Sequence, residues 1–82
     1  MWTRFRAERA DELHAWLRAE ADFTGGMADV AAGDRLLAAE AALQRAIVDF
    51  AAVHHDGMAD PTPLALALLK RAEAMLGEPD RG

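Results

Sequence analysis

The chain has no cysteine, no serine and no tyrosine among its 82 residues. Without cysteine there is no disulfide, no thiolate ligand for zinc and no redox couple. Without serine as well, a serine or cysteine catalytic triad is excluded, and the aliphatic hydroxyls reduce to Thr3, Thr24 and Thr62. No stretch approaches the roughly 18 consecutive apolar residues of a membrane span. Arg4, Arg6, Glu8 and Arg9 stand where a secretory leader would need an apolar run, so a soluble cytoplasmic protein is expected, with no membrane partner.

What is abundant is alanine. Of the 52% of residues that are hydrophobic, 20 are Ala and only 23 are Leu, Ile, Val, Met, Phe or Trp. A domain of this length buries only about 60% of its unfolded surface, so the core is thin and self-association or a partner is the natural supplement. Charge is uneven. The two ends balance, and the net charge of −5 arises from Asp22, Asp29, Asp34, Glu40, Asp49, Asp56 and Asp60 against Arg35 and Arg45. That middle repels a phosphate backbone and attracts a basic protein surface; nucleic acid is not an expected partner.

Leu36, Glu40, Leu43, Ile47, Phe50 and His54 recur at alternating steps of four and three, the spacing that lines one face of a helix. This periodicity predicts a helix over 34–55, begun by Asp34 as N-cap after Gly33 and ended near His54-His55-Asp56-Gly57. A first helix is expected over about 4–22, beginning near Thr3 or as late as Ala10, where Leu13, Trp16 and Leu17 share a side and Arg9 interrupts it; Gly25-Gly26 stops it. A short turn is expected over 27–32. Thr62-Pro63 reads as N-cap and first residue of a helix over 63–76, with Ala65, Leu68, Leu69, Ala72, Met75 and Leu76 in its stripe and Gly77 and Pro79 beyond its end. The expectation is one all-α domain over 1–82: a three-helix bundle, or a helical hairpin with an extra N-terminal helix, with self-association to complete it.

Chemistry-bearing constellations are sparse. Glu40 and His54 break the apolar seam but lie about 21 Å apart on one helix, so they meet only across an antiparallel pair of chains. His54-His55-Asp56 has the composition of a metal cluster without its spacing, since adjacent helical residues point about 100° apart. Asp11 and His14 have the spacing of a surface ion pair. Gly25-Gly26 lacks the strand and downstream Lys of a phosphate loop. Trp16, between Leu13 and Leu17, is expected to pack internally.

Two segments resemble a family of small uncharacterised alanine-rich helical proteins of actinobacteria and their phages. They are Asp11-Glu12-Leu13-His14-Ala15-Trp16-Leu17-Arg18-Ala19-Glu20, similar to that family's early amphipathic helix, and Arg35-Leu36-Leu37-Ala38-Ala39-Glu40 continuing to Ile47, similar to its second. Together they cover under half the chain. The resemblance implies helices and brings no activity with it.

These readings converge on a non-enzymatic, cofactor-free interaction module that binds a basic protein surface or itself. Its expected contact residues are Trp2, Leu36, Glu40, Leu43, Ile47, Phe50, His54, Leu64 and Leu66. The alternative is a small-ligand binder or enzyme at an oligomer interface, which requires Glu40, His54 and His14 to converge. A DNA-binding domain built on Arg4, Arg6, Arg9 and Arg18 ranks third, because no helix carries the set that reads base edges.

Overall fold

A computed structural model describes residues 1–25, 30–55, 57 and 60–76. Four helices and no strand are found among them: α1 Trp2–Glu8, α2 Ala10–Thr24, α3 Val30–His54 and α4 Thr62–Leu76. The fold is all-α, as the periodicities predict. α3 is the spine, with α2 along one side and α4 along another, while α1 bridges α2 and α4.

The expected first helix over 4–22 is two helices. Its single apolar face would carry Phe5, Arg9, Leu13 and Trp16 in line, which directs a guanidinium into the core. The chain breaks at Arg9 instead, with φ −118° and ψ 36°. Phe5 and Leu13 are then both fully buried, and Arg9 keeps 37% of its side chain in solvent, 4.0 Å from Glu12. The hydrogen-bond ladder survives the kink: the Arg9 amide donates to Phe5 O at 2.8 Å and the Leu13 amide to Arg9 O at 3.1 Å. On α1, Arg4 bonds Glu8 at 2.7 Å. That bond, helped by the positive field of Arg4, His54 and Arg9, holds the exposed Glu8 carboxyl below its ordinary pKa.

Asp34 is not an N-cap. α3 runs unbroken through Gly33 and Asp34 from Val30, so residues 30–32 of the expected short turn belong to the long helix. Residues 27–29 of that turn lie outside the described residues. A helical glycine costs about 0.5–1 kcal/mol relative to alanine, and tertiary contact overrides it. Ala32 is buried at 2% exposure, and a Cβ on Gly33 would touch the Phe23 ring at the end of α2 at 3.7 Å. α3 ends at His54, and Gly57 adopts φ +71°, a left-handed conformation suited to glycine. The expected roles of Gly26, Asp56, Gly77 and Pro79 fall outside the described residues.

α4 starts one residue before the expected position, so Thr62 is its first residue rather than its N-cap, and the side-chain acceptor that caps its start is Asp60. Asp60 Oδ1 accepts both the Thr62 amide at 3.0 Å and the Thr62 hydroxyl at 2.8 Å, which lowers its pKa. The Pro61 carbonyl takes the first helical bond, from the Ala65 amide.

The core unites Phe5, Leu13, Trp16, Leu43, Ala46, Ile47, Phe50, Leu68 and Ala72, and no buried residue among those described is polar or charged. Its aromatic end is ordered by ring geometry. Phe5 meets Phe50 edge to face with centroids 5.3 Å apart, and Phe50 lies 4.3 Å from the His54 ring. Trp2 stacks on Phe5 at 5.8 Å, and the Arg71 guanidinium of α4 lies 5.9 Å from the Trp2 ring, within cation–π range.

Candidate functional site

The seam of α3 divides by depth. Leu43, Ile47 and Phe50 are 1–3% exposed and covered by the chain's own helices, so they form core. Leu36 and Leu64 are half-buried against that core, as is Trp2. Of the expected contact residues only Leu66, at 55%, is well exposed. His54 is half-buried beside Phe50, and its attraction falls on Glu8 of α1. Glu40 and His54 are therefore not brought together within one chain, and Glu40 faces a different neighbourhood.

That neighbourhood is a cleft of about 170 Å³ between α2, α3 and α4. Its apolar lining is Trp16, Leu43, Leu69 and Leu76, and its polar lining is Glu20, Glu40, Gln44 and Glu73. The carboxylates come from three helices for a geometric reason. Glu20 follows the buried Trp16 by one turn, Glu40 precedes the buried Leu43 by three residues, and Glu73 adjoins the buried Ala72. Each flanks a core position and so reaches the rim where the three helices diverge. Only Glu40 stood out in the sequence, by interrupting an apolar seam; Glu20 and Glu73 look like ordinary surface residues until the helices are assembled.

The Trp16 indole is 4% exposed, and its Nε1–H is buried without an acceptor among the described residues. Such an unmet donor costs about 1–3 kcal/mol. A second, shallower depression on α4 shares Leu69 and Glu73 with the cleft and adds Pro63, Leu66 and Lys70. The two together form an apolar trough along α4 with a predominantly acidic edge.

Chemically, this arrangement suits a cation on an apolar stem. Carboxylates at the rim meet the charge, and the aromatic and leucine surfaces receive the methylenes of a Lys or Arg side chain. The volume matters to the choice. Sites for drug-sized ligands span about 300–1,000 Å³, whereas this cleft holds one long side chain. No group of three or more His, Asp or Glu side chains among the described residues is disposed to hold a metal ion.

A larger, open groove of about 840 Å³ runs between α2 and α3. Ala15, Ala19, Ala38 and Ala39 leave it unfilled, and Asp11, His14, Arg18, Asp22 and Arg35 border it. Its charges alternate in sign and largely cancel. The expected Asp11–His14 ion pair is not formed. His14 is thus separated from both Glu40 and His54, and the three residues required by the small-ligand alternative do not converge within one chain.

No helix among the described residues is long and apolar enough to cross a membrane. No protein-family model matches the chain, and neither curated proteins nor solved structures provide a significant match.

Proposed function

We propose that this protein is a small protein–protein interaction module that receives a basic segment of a partner in the α2–α3–α4 cleft. The observation that carries the reading is the convergence of Glu20, Glu40 and Glu73 on an apolar floor containing Trp16, beside the exposed Leu66 and Leu76. A partner's Lys or Arg enters the cleft, and its neighbouring apolar side chains lie on the α4 leucines. Lys70, close to Glu73, restricts the acidic part of the surface to the cleft and favours one orientation of the bound segment. A role as a phage-encoded or accessory regulator suits a domain of this size and brings no catalytic requirement.

The test uses an amphipathic, arginine-rich helical peptide as probe, with a Trp2→Phe background so that Trp16 alone reports. Binding is expected to shift Trp16 emission, to weaken as salt is raised from about 50 to 500 mM, and to weaken at least about fivefold in the triple variant Glu20→Gln, Glu40→Gln, Glu73→Gln. Absence of binding at millimolar peptide and low salt, or equal binding by the triple variant, refutes the proposal.

A further inference from the structure

The side of α3 turned away from the core is apolar as well. Val30, Leu37 and Val48 are 82%, 67% and 58% exposed, and Ala41 and Ala52 between and beyond them are exposed too. At about 100° per residue these five positions fall within an arc of roughly 60°. Asp34 and Arg45, also exposed, border the same stripe, and neither side chain makes a hydrogen bond or ion pair among the described residues. The core of the fold is complete without this face, so intramolecular packing does not account for its side chains.

We propose that this face binds a second copy of the chain in an antiparallel, two-fold pairing of α3 on α3. The surface is self-complementary in that arrangement. Placing Leu37 of one copy against Ala41 of the second puts a large side chain opposite a small one at the centre. The same register sets Val30 opposite Val48 and brings Asp34 within one residue of Arg45 of the second copy. Two-fold symmetry repeats every contact, so two ion pairs flank an apolar centre. A parallel pairing in register would instead oppose Asp34 to Asp34 and Arg45 to Arg45. The charges thus select the antiparallel orientation and its register, as flanking charges do in paired helices. The alanines allow close approach of the two backbones.

The contact is one helix face on each side and falls below the roughly 1,200–2,000 Å² of a standard stable interface. The dimer is therefore weak and forms at high protein concentration. This proposal does not rest on the basic-segment cleft, whose lining on α3 is Glu40, Leu43 and Gln44, none of them in the stripe.

Sedimentation equilibrium of the full chain up to about 1 mM tests it. Wild type is expected to dimerise in the high micromolar range. Asp34→Arg alone and Arg45→Asp alone each oppose like charges at both flanks, and each is expected to weaken association about tenfold while circular dichroism stays that of wild type. The double variant restores association. So does an equimolar mixture of the two single variants, because every cross-chain pair in the mixed dimer is again Arg with Asp. A monomer at 1 mM overturns the proposal. So does a dimer whose affinity ignores both reversals, or one that the mixture fails to restore. Both single variants retain binding of the arginine-rich peptide in the cleft, so loss of dimerisation and loss of the cleft's activity are read separately.

Discussion

Phe50 offers the sharpest test of the packing. It is 2% exposed, with the Phe5 ring centroid at 5.3 Å and that of His54 at 4.3 Å, so truncation removes a ring contact between α1 and α3 as well as buried area. A buried Phe→Ala change costs about 3–5 kcal/mol. At about 0.05–0.15 kcal/mol per residue, the whole domain holds roughly 4–12 kcal/mol. Phe50→Ala is thus expected to remove between about a quarter and all of the stability. Phe50→Leu keeps most of the volume and is expected to cost about 1–2 kcal/mol, within the usual span for core substitutions. In a domain of this size each 1 kcal/mol lowers the midpoint of thermal unfolding by about 4–8 °C. The edge-to-face geometry is separable from area burial by a double-mutant cycle of Phe5→Leu and Phe50→Leu, with an expected coupling of about 0.5–1.5 kcal/mol. Urea unfolding followed by far-ultraviolet circular dichroism supplies all four stabilities. A Phe50→Ala protein with a wild-type midpoint, or a cycle that closes at zero, refutes this account of the aromatic cluster.

Two further tests concern the backbone and the caps. Gly33→Ala is expected to stabilise the fold by about 0.5–1 kcal/mol, because the position is helical and the new Cβ meets the Phe23 ring at an ordinary 3.7 Å; Gly57→Ala, at φ +71°, is expected to cost about 1–2 kcal/mol. Both are measured by the urea midpoint. Asp60 has a pKa below its ordinary 3.8 in the folded state, so its contribution is fully present above that value and is lost as the pH falls through the lower, folded pKa. Asp60→Asn keeps an acceptor for Thr62 and is expected to flatten the acid limb of the stability profile below about pH 4; an unchanged acid limb counts against the cap.

Much of the architecture was legible in the residues because helix periodicity is local. Leu43, Ile47 and Phe50 share a face at 3.6 residues per turn wherever the helix sits, and all three are buried. The end of α3 near His54 and the start of α4 beside Pro63 follow from the same short-range chemistry. Asp34 shows the limit. Gly33-Asp34 has the local form of a stop and a cap, yet α3 runs through it, with Ala32 just before it buried. Arg9 shows the opposite case, where a residue with good helical propensity ends a helix because continuing would bury its charge.

The candidate site was the least legible part. Glu40 carried a signal because it interrupted an apolar seam, but the residues weighed with it were His54 of a second chain and His14, and neither lines its cleft. Glu20 and Glu73 join it from sequence distances of 20 and 33 residues, and nothing local marks them. Periodicity establishes which side chains leave a helix in the same direction, since each turn constrains the next through its own hydrogen bonds. It does not establish which helix each face meets. That follows from the joint burial of Phe5, Trp16, Leu43, Phe50 and Leu68, a balance among all four helices that leaves one acidic cleft and one bare flank of α3 as its consequences.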